Sequence, residues 1–207
     1  MKKFLLVDGH AIIRWAVKKL LLSTYNPALI EEAHDGKSAL EKLERHSYDL
    51  VILEIQIPHT DTFELMEYIR IKYPSLKVLI FSMSAENIYA KRFLKGGANG
   101  FVGKDAPLDE IKKAIAVVLN NHKYISESMI DLLAVGNSDR DNNLFNTLSA
   151  REFEIATHLL NGETISKIAV NLKLRVSTVG THKSRIFDKL KVTNLLEMKE
   201  LADIYNV

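Results

Sequence analysis

Leu50-Val51-Ile52-Leu53-Glu54-Ile55-Gln56-Ile57-Pro58 is the most informative run of the chain. Four aliphatic residues in succession, closed by an acid and then a proline, are too short for a buried helix. They are also too continuous for a strand with one wet face. Such a run fits a strand covered on both sides, as in a parallel sheet. An acid at its end, Glu54, then falls beyond a strand's carboxyl end, where open α/β sheets place their sites.

Similar runs lie on either side. Phe4–Val7, Leu29–Ala33 and Val78–Phe81 are bounded by polar or turn residues, and a shorter one, Gly100–Val102, sits among Gly97, Gly100 and Gly103. Segments at helical spacing separate them: Ile12–Leu22, Lys37–Glu44 after the Asp35-Gly36 turn, Phe63–Tyr73 stopped by Pro74, Ile88–Leu94 ended by Gly96-Gly97, and Leu108–Leu119 opened by Pro107. Five strand–helix units in series predict an α/β fold, a doubly wound (βα)5 sheet of the flavodoxin-like kind. The expected strand order is 2-1-3-4-5, with a site at the ends of the first and third strands.

The texture then changes. Residues 136–143 are polar without periodicity and read as a linker, with Tyr124–Val135 before them as a short helix or extension. The expected division is 1–122, 123–146 and 147–207. From Leu148 onward every period is helical. Ser149 and Glu152 form a capping box for Arg151–Leu160, which Asn161-Gly162 closes; Thr164–Leu172 follows. Ser177 is expected to cap a third helix running to Leu190, and Asn194 a fourth, Leu195–Tyr205. The result is a small all-α domain of four helices.

Composition narrows the function. At 207 residues, 47% hydrophobic and 26% charged, the chain reads as a soluble globular protein. The absence of cysteine excludes disulfides and cysteine-ligated zinc. The apolar run Phe4–Val7 is too short for a signal peptide, and no window approaches the ~18 apolar residues of a membrane helix. A cytoplasmic protein with no membrane partner is expected. The net charge is only +2, yet within 165–191 Lys167, Lys173, Arg175, Lys183, Arg185, Lys189 and Lys191 stand against Asp188 alone, seven minus one giving +6. So concentrated a basic surface suits a phosphate backbone.

The first half resembles the receiver domain of two-component response regulators. The resemblance rests on Val7-Asp8 after the first strand, Pro58 after the third and Ser82 ending the fourth. It also rests on Leu94-Lys95-Gly96-Gly97-Ala98 and Gly100-Phe101-Val102-Gly103-Lys104 around the fifth. It implies a site in which two acids and an aspartate hold Mg²⁺ through oxygen ligands. The aspartate takes a phosphoryl group, a lysine and a hydroxyl bind that group, and an aromatic repacks. Asp8, Ser82, Phe101 and Lys104 match these roles. Two positions depart: the acidic pair reads Asp8-Gly9, and Glu54 stands where the phosphorylated aspartate belongs. Glutamate is one methylene longer, so its carboxylate is placed to pair with Lys104, accept from Ser82 and imitate the phosphorylated state. The imitation is partial, with one charge against the ~1.5–2 of a phosphoryl group. No cofactor is expected, beyond a weak Mg²⁺ site through Asp8 and Glu54. Asp8 as a simple helix cap, and Phe101 as plain core, are the structural alternatives.

The second half resembles the LuxR/NarL/FixJ-type helix-turn-helix. The matching residues are Leu148-Ser149-Ala150-Arg151-Glu152, Leu160 to Ala169, Leu172-Lys173-Leu174, Ser177-Thr178-Val179-Gly180-Thr181-His182 and Lys189-Leu190. It implies double-stranded DNA as partner and a homodimer. Ile165, Ile168, Ala169 and Leu172 make one apolar stripe and Val179, Ile186 and Leu190 another, which leaves Ser177, Thr178, Thr181, Lys183, Ser184 and Arg185 for the groove-facing side; Gly180, where the family often has lysine, is expected to let the backbone approach the DNA, and Lys191 is a further DNA-binding candidate. His182 reads as structural or phosphate-facing.

The reading is therefore a response regulator of transcription, not an enzyme, whose receiver is not switched by ordinary Mg²⁺-dependent phosphorylation. The alternatives are a phosphorylatable receiver fed by a sensor histidine kinase, with Glu54 an engineered or tolerated replacement, and a module that sequesters partners without binding DNA.

Overall fold

The computed structural model describes residues 1–84, 86–126, 130 and 143–205. The chain divides into two compact units, 1–131 and 132–207. In the first, β1 (Lys2–Val7), β2 (Ala28–Ala33), β3 (Leu50–Leu53), β4 (Lys77–Ser82) and β5 (Gly100–Gly103) form one parallel sheet in the order 2-1-3-4-5. Five helices alternate with them: α1 (Ala11–Thr24), α2 (Gly36–Arg45), α3 (Thr62–Lys72), α4 (Glu86–Lys95) and α5 (Leu108–Leu119).

All four residues of β3 are buried, because both faces of the sheet are covered. Side chains alternate between the two layers. Phe4, Leu6, Leu50, Ile52, Leu79, Phe81 and Val102 pack with Val17 and Leu21 of α1 and with Ile111, Ala114, Ile115 and Val118 of α5. The register pairs Val7 with Leu53 and Ser82 with Gly103, so Asp8, Glu54, Ser82 and Lys104 all emerge at the carboxyl edge.

Local chemistry explains where the elements start. β1 begins two residues earlier than its apolar run, because Lys2 and Lys3 pair with Ala28 and Leu29 while their side chains reach solvent. Asp35 is more than a turn residue: its carboxylate accepts from Ser38 N at 2.7 Å and caps α2. Chain reversal before β5 uses Gly97, whose φ of +97° suits glycine.

The second unit contains a 3₁₀ turn (Leu144–Thr147) and α6 (Ala150–Leu160), α7 (Ile165–Asn171), α8 (Val176–Leu190) and α9 (Leu195–Tyr205). The 3₁₀ turn was not foreseen. Asn143, assigned to the linker from sequence, accepts from Phe145 N at 2.9 Å, and Phe145 is buried in the helical core. The rest of the expected linker, and most of the expected extension before it, lie outside the described residues. A correction concerns α8. Its cap is Arg175, whose carbonyl accepts from Thr178 N and Val179 N, so Ser177 stands in the first turn instead of capping. Among the described residues no helix is long and apolar enough to cross a membrane.

The capping box at Ser149 formed as expected and gained a partner. Glu152 is buried, accepts from Ser149 N at 2.7 Å, and pairs with Lys189 of α8 at 2.6 Å. Burial pushes its carboxyl up, but Lys189 and the Ser149 donors outweigh this and hold it below the ordinary glutamate range. A depressed carboxyl stabilises the fold above the unfolded-state value and loses that contribution as pH falls through the folded one. Lys189→Met is therefore expected to lower the thermal midpoint at neutral pH. The gap to the parent chain narrows as pH falls below about 4, the range in which free glutamate protonates, and circular dichroism melts across pH measure it.

Candidate functional site

Lys104 follows β5 directly, with its side chain turned into the sheet's carboxyl edge, only 5% exposed. Its Nζ lies 2.5 Å from Asp8 Oδ2 and 2.5 Å from Glu54 Oε2, and these carboxylates are 7% and 5% exposed. Lys104 is thus buried and paired with both acids. The remaining oxygens are also engaged. Glu54 Oε1 accepts from the Ser82 hydroxyl, from Ile55 N at 2.6 Å and from Gln56 N at 3.1 Å. Asp8 Oδ1 accepts from His10 N at 2.7 Å and faces His10 Nδ1 at 3.1 Å. Asp8 accordingly does two things: it steadies the residue before α1 and pairs with Lys104.

Neighbours fix this arrangement. Ser82 Oγ, while donating to Glu54, accepts from Ser84 N at 3.1 Å, so the chain leaving β4 is tied to the same carboxylate. Arg14 of α1 donates to the Asp8 carbonyl at 2.7 Å and to Glu32 at 3.2 Å. Phe81 presents its ring to Lys104, with Nζ 5.9 Å from the centroid. Phe101 is 1% exposed in β5 opposite Ile80 and belongs to the core. Phe81, Arg14 and His10 were missed from the sequence, since only the sheet register shows which strand-end side chains meet.

The second carboxylate of an acidic pair has no room here. A Cβ added at Gly9 would come within 2.7 Å of Pro58 Cδ. Among the described residues no three His, Asp or Glu side chains come together in a way that would hold a metal ion.

In the second unit, Ile168 and Ala169 of α7 and Val179, Ile186 and Leu190 of α8 are buried, which turns the other side of α8 outward. Ser177, Thr181, Ser184, Arg185 and Lys191 are exposed, and Thr178, Gly180 and Lys183 half-buried. Thr181 donates its hydroxyl to the Ser177 carbonyl at 3.0 Å, leaving that oxygen as an acceptor for a partner. A Cβ at Gly180 would meet nothing within 4 Å, so this glycine is not required by packing. Among the described residues, Lys189 pairs with Glu152 at 2.6 Å and Lys167 with Glu163 at 3.7 Å. Val176, 53% exposed at the start of α8, joins this surface without having been foreseen, because its apolar side chain reads as core in sequence. His182 is half-buried, with Nδ1 enclosed and lacking a hydrogen-bond partner among the described residues. Burial first, then the charges of Arg151 and Arg185, lower its imidazole below the ordinary histidine range, which suits a neutral structural role.

A doubly wound sheet with paired carboxylates on one buried lysine, joined to a four-helix unit with an outward basic helix, defines a receiver coupled to a helix-turn-helix. Residues 4–116 match the response regulator receiver domain, and residues 146–202 match the bacterial regulatory proteins of the luxR family. The chain belongs to the response regulators that carry a luxR-type C-terminal domain. The fimbriae Z protein of Salmonella typhimurium is 30% identical over 198 residues, 96% of this chain and 94% of that protein. The response regulator GacA of Pseudomonas syringae pv. syringae is 29% identical over 204 residues, 98% of this chain and 95% of that one. In fold, the RcsB response regulator of Salmonella typhimurium superposes with a TM-score of 0.75 at 20% identity, covering 99% of each chain.

Removing the lysine leaves two buried carboxylates facing each other. Lys104→Met is expected to destabilise the first unit by about 3–5 kcal/mol, the cost of stripping a partner from a buried ion pair. Urea unfolding at neutral pH measures it. Gly9→Asp is expected to destabilise as well, because its Cβ displaces Pro58.

Proposed function

We propose that the chain is a transcription regulator that binds double-stranded DNA as a homodimer, and that Glu54 holds its receiver in the engaged arrangement without Mg²⁺-dependent phosphorylation. The observation that carries this reading is the simultaneous grip of one Glu54 carboxylate on Ser82 and Lys104. These are the two groups that the receiver resemblance assigns to a phosphoryl group. The longer side chain delivers its oxygens to them directly.

The same geometry argues against a divalent cation. Mg²⁺ demands hard oxygen ligands free to coordinate. Here Asp8 and Glu54 share an ammonium between them, and Gly9 has no space for a further acid. A sensor histidine kinase therefore has no acceptor in this site, and the input is of another kind.

DNA binding is supported by the shape and charge of α8. A recognition helix offers its N-terminal residues to base edges. The exposed Ser177, Thr181 and Ser184 are small enough for close approach, while Arg185, Lys183 and Lys191 supply positive charge for phosphates. The RcsB protein of Salmonella enterica serovar Typhimurium has been solved bound to promoter rprA in the presence of the phosphomimetic BeF3−. Two-fold proteins read two half-sites, which is why a homodimer is the working form.

The test compares full-length protein and Glu54→Ala on promoter fragments, with and without acetyl phosphate and Mg²⁺, alongside intact mass. The parent chain is expected to bind equally in both conditions and to gain no phosphoryl mass. Glu54→Ala is expected to bind about tenfold more weakly, equivalent to about 1.4 kcal/mol. A phosphoryl adduct, or unaltered binding by Glu54→Ala, contradicts the reading of the receiver; no binding by any form even at low salt contradicts the DNA reading and favours sequestration. Arg185→Ala is expected to reduce the slope of log affinity against log salt by about 1, as loss of one phosphate contact does.

A further inference from the structure

We propose that Val176 is a base-reading residue: its side chain takes the 5-methyl group of a thymine in the major groove, over the gap that Gly180 leaves one turn further along α8. The proposal rests on the DNA reading above and names the feature of the duplex that the chain selects.

A recognition helix reads base edges with its N-terminal residues, which in α8 are Val176-Ser177-Thr178-Val179-Gly180-Thr181. Arg or Lys reads guanine, Asn or Gln reads adenine, and Asp or Glu accepts from cytosine. None of these residue types occurs in that run. The cations on either side are placed otherwise. Arg175 is the cap, outside the helix, and Lys183 of the next turn lies over the Phe187 ring, with Nζ 5.2 Å from the centroid. Hydroxyl groups select weakly, since each can donate or accept. Thr181 has already given its proton to the Ser177 carbonyl at 3.0 Å, and Thr178 is half-buried. The base-specific contact still open to such a turn is apolar, against the methyl group that distinguishes thymine in the major groove.

Val176 is placed to make that contact. It is 53% exposed, whereas Val179, the other valine of the run, is wholly buried in the helical core. At about 100° per residue, Val176, Gly180, Ser184 and Ser177 span an arc of about 100°, and the buried Val179, Ile186 and Leu190 lie outside it. Residues four apart on a helix are neighbours, with Cβ positions about 5–6 Å apart. At Gly180, the neighbour of Val176, a Cβ would meet nothing within 4 Å. The open space there accepts a methyl group and has the Val176 side chain as its apolar wall. A thymine methyl entering it leaves water for contact with Val176 and bare helix backbone. Glycine weakens a helix interior relative to alanine, and close approach of a base edge is what it permits.

The experiment uses the full-length chain and duplexes that it selects from a random pool. Thymines in those duplexes are replaced one at a time by deoxyuridine, which removes the methyl group and leaves the hydrogen-bonding groups of the pair in place. One thymine per half-site is expected to be sensitive, with affinity falling about fourfold on its replacement, the worth of one buried methyl group. Val176→Ala is expected to bind the thymine duplex about fourfold more weakly and the deoxyuridine duplex as the parent chain does, so that the two become equal for it. Circular dichroism confirms the fold of this variant, in which the better helix former replaces valine, and the replacement series on the parent chain needs no variant. Parent binding that is indifferent to deoxyuridine at every position overturns the proposal. So does a deoxyuridine penalty that Val176→Ala retains in full, since another residue then reads the methyl group. Both results leave DNA binding standing. Failure to select any duplex, even at low salt, overturns the DNA reading as well.

Discussion

A single ammonium shared by two carboxylates organises the receiver. Asp8 follows β1, Glu54 follows β3 and Lys104 follows β5, so three strand ends converge on one cation. Two carboxylates buried at one point repel and each loses its hydration; both persist as acceptors because Lys104 stands between them and backbone N–H groups fill the remaining oxygens. Everything else near the edge follows from this requirement. Ser82 turns toward Glu54, Ser84 toward Ser82, and Arg14 holds the Asp8 carbonyl.

Much of this was open to reading in the sequence. Continuous apolar runs of four or five residues require a sheet covered on both faces, and five of them separated by helical periods leave little choice of architecture. The reach of Glu54 to Ser82 and Lys104 also followed from side-chain length at a strand end. What escaped was long-range or depended on register. The receiver resemblance put Asp8 and Lys104 in one site, but their direct pairing across 96 residues was not foreseen. The aromatic facing the lysine is Phe81 and not Phe101, because neighbouring strands fix which residue of each faces the site. Ser177 looked like a cap because serine is a good one, yet Arg175 adopts the extended backbone before α8 and leaves Ser177 exposed for other contacts.

The helical unit shows the difference between charge counted along a chain and charge presented on a surface. Lys189 fastens α8 to the capping box of α6 through Glu152, so it serves the fold. Arg185 and Lys191 stay exposed to solvent. Gly180 costs the helix stability by its lack of a side chain, with open space where a Cβ would stand. Any reason for it therefore lies outside the packing of α8 itself.

The receiver and the helical unit thus ask different things of their charges: pairing to exhaustion in one, exposure in the other. The most direct test of the first is ¹⁵N NMR of the full-length chain, following the Ile55, Gln56, Ser84 and Lys104 amides during titration with Mg²⁺ and beryllofluoride. A site already filled by Glu54 and Lys104 predicts that these resonances stay in place through millimolar additions. Saturable shifts confined to them would show an open phosphate and cation site, and would contradict the account.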